Sequence, residues 1–312
     1  MKKTTTLLSL VLLLAATPSL FAQKKYAPQR NGVDFALFGQ VESVTVMEYE
    51  LKDYFGENVK GKRTGLVVYT FNQKGDVAEC AWRKSDGTLY RKYTYGYDNS
   101  GRKIEEVRFY GAGSSSTKTT FKYDSKGNVV EQQEYRPDGS KDKRQTWKYD
   151  EKGTKLEEVR YNADGSLSGK TFYKADAEGN IVEEARYNAD GSLASKTLCK
   201  YDCEGLKVEQ ARFGSDGALE SRYYYEYKYD SRGNQTEWIQ MGADREQMDK
   251  YTYRYDAEGN RTEVCHYDVE GRVDRKTVYK YDAEGNIVEQ SSYKGEIMIP
   301  ELLQEYKTVY GK

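Results

Sequence analysis

The pair Tyr-Asp returns at a fixed interval along most of this chain, and that interval restricts the possible folds more than any other feature. It stands at Tyr97-Asp98, Tyr123-Asp124, Tyr149-Asp150, Tyr201-Asp202, Tyr229-Asp230, Tyr255-Asp256 and Tyr281-Asp282. Ala175-Asp176 fills one missing beat and Phe71-Asn72 is a degenerate first copy. The step is 26 residues throughout, except from 201 to 229, where it is 28 and the two extra residues fall in the run Tyr223 to Tyr227. A fixed period of this length marks one supersecondary unit repeated end to end.

Each copy contains two turns of one design, as in Asp176-Ala177-Glu178-Gly179-Asn180 and Asn188-Ala189-Asp190-Gly191-Ser192. The leading Asp or Asn can bond back to the local backbone, and Gly supplies the position with φ > 0. Between the turns lie segments of strand length and strand composition, rich in Val, Thr and Tyr. Each copy therefore reads as a β-hairpin. Pro137, in Tyr135-Arg136-Pro137-Asp138-Gly139-Ser140, fixes the turn type. A two-residue type I′ turn would make it a ladder residue needing an N–H, which proline lacks. A type I turn followed by a glycine bulge fits instead.

That turn predicts pairs Tyr187 with Leu193, Glu183 with Thr197, Cys199 with Glu209 and Tyr201 with Lys207. One face then carries Tyr187, Ala185, Leu193, Thr197, Cys199 and Tyr201, and one copy earlier Tyr161, Val159, Leu167, Thr171 and Tyr173. The other carries Glu184, Arg186, Lys196 and Lys200, with Glu184 opposite Lys196. The expected fold is all-β: tandem antiparallel β-hairpin repeats forming a curled or twisted meander sheet. Closed barrel, spiral and long single-layer sheet all satisfy the pattern, and an open spiral is preferred, with caps over its two edges. Residues 23–70 read as an N-terminal cap segment, 71–296 as the repeats and 297–312 as a C-terminal cap strand.

The first 22 residues read as a secretory signal: Lys2 and Lys3, an apolar stretch from Leu7 to Ala16, and small Ala22 before the cut. The apolar run is shorter than the ~20 residues that cross a bilayer, and no later segment is long and apolar enough to do so. Export to the periplasm, cell surface or medium is expected. The four cysteines fall at unrelated places in the repeat, so they read as free.

The unit Tyr-Asp-x-x-Gly-[Asn/Arg], as at Tyr123-Asp124-Ser125-Lys126-Gly127-Asn128, resembles the YD repeat of the RHS family. The resemblance covers Phe71 to about Tyr293. It implies a curled β-sheet shell of the kind built by large bacterial RHS and toxin-complex proteins, some of which are held to bind carbohydrate while others enclose a toxin. This chain is shorter, its copies are longer and more regular, and neither a toxin domain nor a self-cleaving aspartyl segment is visible. The hairpin architecture is carried over; encapsulation is not.

One position is acidic in every copy from Glu79 to Glu289, among them Glu131, Glu157, Glu183 and Glu209. The expected register puts this stripe on the aromatic face beside Tyr161, Tyr173, Tyr187 and Tyr201. Such a stripe can be a structural ladder bonded to Tyr and Thr hydroxyls. It can also be a wet groove for sugars, whose C–H faces pack on rings while their hydroxyls bond to acids. A basic position runs in step from Lys92 to Lys276 and reads as a solvated, salt-bridged outer face. Identical copies give identical environments, which argues against a differentiated catalytic pair. The chain has one histidine, His266, which reads as drift on the surface. The turn acids do not match a calcium loop, and neither a metal nor a cofactor is expected. With 49 basic and 50 acidic residues the net charge is −1, so nucleic acid is not an expected partner. The expected function is a non-enzymatic, exported binding module for glycan or another extended ligand, such as a surface protein. The alternative is a scaffold with no small ligand.

Overall fold

The computed structural model describes residues 25–26, 36–37, 41–55, 57–111, 116–295 and 299–310. The secretory signal expected over residues 1–22, and most of the segment before Val41, lie outside the described residues. Twenty antiparallel strands, taken in chain order, form a closed barrel. A two-stranded ribbon, Lys25–Tyr26 with Ala36–Leu37, stands apart from it. The all-β hairpin reading holds, while the preferred open spiral is corrected to a closed ring. The parts of the expected caps over Val41–Tyr54, Glu57–Phe71 and Ile299–Tyr310 are strands of the wall. Ile299–Tyr310 pairs with Val41–Tyr54, from Leu302 opposite Glu50 to Tyr310 opposite Val41. Lys60 Nζ, on the next strand, reaches Glu305 Oε1 at 2.6 Å, and Gln304 donates to Glu48 across the seam at 3.0 Å. A ring leaves no unpaired edge, which removes the problem that edge caps would solve.

The turns are as the proline argument requires. At Asp124 the backbone N–H donates to Asn128 O at 2.9 Å and the Gly127 N–H donates to Asp124 O at 3.1 Å. The Asp124 carboxylate accepts the N–H groups of Lys126 and Asn128 and the Asn128 side-chain amide. At the other end of most described hairpins the acid sits two places later, Asp268 being an exception. Asp190 accepts both the N–H and the hydroxyl of Ser192 at 2.9 and 2.6 Å. Side-chain bonds from Asn128, Asn180 and Asn234 hold Asp124, Asp176 and Asp230 below the ordinary aspartate value. A carboxyl with a lowered folded-state pKa contributes stability that is complete above its unfolded value and lost as pH falls through the folded one. Melting temperature should therefore hold level from neutral pH down to about pH 4 and fall below it; a flat profile to pH 2 would contradict the clasp.

Among the described repeat turns, one lacks the glycine. Arg245 adopts φ 69 where other copies place Gly191 or Gly217, and its guanidinium lies 3.4 Å from the Tyr224 ring centre. A left-handed non-glycine residue costs about 1–2 kcal/mol, and an exposed ring contact returns about 0.5–1 kcal/mol. Arg245→Gly should raise stability by roughly 0.5 kcal/mol in chemical denaturation. A loss would mean that the ring contact dominates.

Register differs from the expected one. Tyr187 does face Leu193, but Arg186 faces Ser195, so Ala194 is an extra residue and every later pair moves by one. Likewise Tyr201 faces Lys207 while Lys200 faces Glu209. Glu183 pairs with Leu198 rather than Thr197, Cys199 with Gln210 rather than Glu209, and Glu184 with Thr197 rather than Lys196. Besides the glycine bulge in the turn, a second bulge lies near the start of the next strand. A one-residue slip exchanges the faces.

Candidate binding surface on the inner wall

The slip divides the residues expected to share a face. Side chains paired across the ladder point to the same side, so Glu183 lies with Lys174, Leu198 and Ala185, and Tyr173 with Glu184 and Thr197. The first of these faces carries exposed lysines. The second carries the most buried groups of the molecule, including Val44, Val67, Tyr69 and Cys80. Closing a sheet crowds side chains on its concave side and spreads them on the convex one, so the second face lines the lumen.

Six of the eight expected ligand residues are outside. Glu131 is clasped by Lys122 at 2.7 Å and Arg144 at 3.5 Å, and Glu157 by Lys148 at 2.5 Å. Glu183 sits between Lys174 and Lys196, both at 2.9 Å, and Glu209 between Lys200 at 2.7 Å and Arg222 at 3.5 Å. Hydrogen bonds from Lys196 and Lys174 hold Glu183 below the usual glutamate value. Tyr161 lies under the Arg144 guanidinium at 4.1 Å, and Tyr187 packs edge-on against Phe172 with centroids 5.7 Å apart. The acid stripe is thus a ladder on the charged face, bonded to lysine and arginine rather than to hydroxyls, and the basic stripe supplies one rail of it. Beneath it run small buried residues, Val159, Ala185 and Ala211.

Tyr173 and Tyr201 are inside, and Tyr201 shows what the Tyr of Tyr-Asp does. Its hydroxyl donates to the Ile181 carbonyl at 3.1 Å. The same bond joins Tyr97 to Val77, Tyr123 to Lys103, Tyr149 to Val129, Tyr255 to Gln235 and Tyr281 to Arg261, always to the first residue of the preceding strand and always twenty residues back. At the insertion the tie comes from Tyr227, to Lys207 at 3.0 Å, while Tyr229 keeps the turn position. The two extra residues lengthen strand Leu219–Tyr229, and the tie follows geometry rather than the Tyr-Asp pairing.

Two residues before each of these positions except Tyr201, and likewise before Ala175, stands a second inner ring: Tyr95, Phe121, Trp147, Tyr173, Tyr225, Tyr253 and Tyr279. Burial, then the charges of Glu158 and Glu184, pushes the Tyr173 hydroxyl up to about 12. Every second copy places a cation on this belt. Lys103 Nζ lies 4.9 Å from the Phe121 ring, Lys155 Nζ 5.3 Å from Tyr173, Lys207 Nζ 6.0 Å from Tyr225 and the Arg261 guanidinium 5.7 Å from Tyr279. The intervening copies hold Val77, Val129, Ile181, Gln235 and Ile287. This period of two copies was present in the sequence, but only the bulge reveals that these side chains reach the rings. Beyond the belt, Glu158 accepts from Trp147 Nε1 at 3.0 Å, and Glu106 is bridged by Lys103 and Arg108, both at 2.8 Å.

His266 is no surface drift. Its ring nitrogens face Asp249 at 2.6 Å and Asp274 at 3.1 Å, and its ring packs on Tyr251 with centroids 4.8 Å apart. None of the four cysteines is in a disulfide.

The wall is not uniform. Near the seam Val44, Val46, Val67, Tyr69 and Cys80 form a dry cluster joined by Tyr279 and Ile287 and covered by Tyr95, Trp82 and Tyr306. Across the ring, from about residue 129 to 241, the aromatic belt is half-buried and its charges stay partly wet.

No family model matches this chain, and no curated protein does. Among solved structures, a porin-like protein from Bacteroides uniformis aligns over 86% of this chain and 96% of its own at 10% identity and a TM-score of 0.37. A Tc holotoxin pore of Photorhabdus luminescens aligns over 86% of this chain and 19% of its own at 10% identity and a TM-score of 0.32. A porin-like protein from Bacteroides vulgatus aligns over 87% and 98% at 12% identity and a TM-score of 0.25.

Proposed function

We propose that this chain is an exported, non-enzymatic binding protein of the YD-repeat type, and that its inner wall holds an extended ligand, a glycan in the first instance. The observation that carries the reading is the aromatic belt of the half between residues 129 and 241, where rings, ammonium groups and carboxylates stand together without packing into a core. Rings offer flat apolar surface to sugar C–H faces, and a few placed polar groups orient hydroxyls. Repetition of near-identical stations suits a chain-like ligand better than a single small molecule. Both faces of the wall carry charges on most strands, and a lipid-facing charge near the bilayer midplane costs about 2–4 kcal/mol. That supports a water-filled barrel with water outside.

A glycan array on the mature chain tests the reading with two variants. Tyr173→Ala with Trp147→Ala should lose binding, while Glu157, Glu183 and Glu209 changed to Gln should keep it, because those acids are outside. The outer variant should lose only about 0.2–1 kcal/mol of stability per pair. Loss of binding in the outer variant alone would refute the inner wall as the site, and no binding by any form would favour a scaffold.

A further inference from the structure

One station of the tyrosine tie is vacant. Twenty residues back from Ala175 is Lys155, the first residue of strand Lys155–Tyr161, as Ile181 is for Tyr201 and Val129 for Tyr149. Ala175 has no hydroxyl to give that carbonyl. It is exposed, whereas Tyr149 and Tyr201 at the equivalent positions are half-buried. In the following copy Cys199 replaces the second ring of the belt, so two ring-sized side chains are missing from neighbouring stations. What surrounds them is intact. Tyr173 stands two residues before Ala175 on the same face, with the Lys155 ammonium 5.3 Å from its ring. Tyr149 and Tyr201 continue the tie on either side; burial, then Asp124, raises the hydroxyl of the first above the ordinary tyrosine value, and burial, then Cys199, that of the second. Asp150 holds the corresponding place for the vacant station.

We propose that the notch at Ala175 binds a phenol ring, whose hydroxyl donates to the Lys155 carbonyl as the seven tyrosines do to theirs. The occupant's shape is set by its neighbours: each tie places a planar ring with one terminal O–H, so the complementary ligand is the group the chain itself omits. A free phenolic compound and a tyrosyl side chain of a partner peptide share that chemistry. The site does not depend on whether the inner wall holds a glycan.

The test titrates the mature chain with p-cresol, toluene and N-acetyltyrosinamide by ligand-observed NMR. Saturable p-cresol binding is expected with a Kd on the order of millimolar. Toluene, lacking the hydroxyl, should bind about tenfold more weakly. Ala175→Tyr fills the notch from within and should abolish binding while raising the melting temperature; Ala175→Phe fills the same space and should also abolish it, should the first variant fold poorly. Tyr149→Ala should open a second notch and double the binding stoichiometry. Tighter binding of the tyrosinamide than of p-cresol would name a peptide tyrosyl as the source, the reverse a free phenol. Absence of saturable binding by both, or binding that persists in Ala175→Tyr, overturns the proposal.

Discussion

Deleting residues 299–310 should drive the chain into assemblies larger than the intact protein forms and lower the melting temperature by about 10 °C or more. The deleted strand pairs on both sides, with Ile287–Lys294 through six register pairs and with Val41–Tyr54 through nine. The nine-pair side is the seam, and no other strand can replace it because the ring has no spare member. Removing it bares two long edges at once, each a template for another chain. It also removes Leu303 and Gln304, both buried, and with them the Lys60–Glu305 and Glu48–Gln304 contacts. Size-exclusion chromatography with light scattering, alongside thermal melting, measures both effects. An unchanged assembly state and an unchanged stability would show that the wall stands without its last strand, and hence that closure contributes nothing.

The local architecture was legible because its signals are local. The 26-residue step, the Asp-x-x-Gly turns and Pro137 fixed hairpins, turn type and strand lengths without reference to distant residues. What failed was phase. The second bulge, at Ala194 and Val208 in two copies, has no residue signature of its own, and one extra residue sent Glu183 outside while leaving Tyr173 and Tyr201 inside. Closure was hidden for another reason. The pairing of Val41–Tyr54 with Ile299–Tyr310 joins two segments outside the repeat, and no periodicity relates them. The Tyr of Tyr-Asp was read as part of a turn signal, yet its hydroxyl works on the strand before it. The constant separation of twenty, and its transfer to Tyr227 at the insertion, could have shown this from sequence once the phase was known.

Equivalent positions in a repeat need not be equivalent in energy, and Tyr69→Ala against Cys199→Ala gives the sharpest contrast. Both residues occupy the same inner station, five copies apart. Tyr69 is 2% exposed, opposite Cys80 and Val44, in the dry cluster beside the seam. Truncating a buried aromatic there removes its transfer free energy and leaves a cavity that fixed neighbours cannot close, about 3–5 kcal/mol. Cys199 is partly exposed in the wet half, where the lost thiol is replaced by water and little packing disappears, so its truncation should cost less than about 1 kcal/mol. Denaturant titration of the two variants reads the difference directly. Equal losses would mean that the ring is stabilised evenly by its ladders and that the cluster at the seam is incidental. A gap of several kcal/mol would place the hydrophobic anchor of the barrel where its ends meet, leaving the opposite arc of rings and charges free of a packing role and available to a ligand.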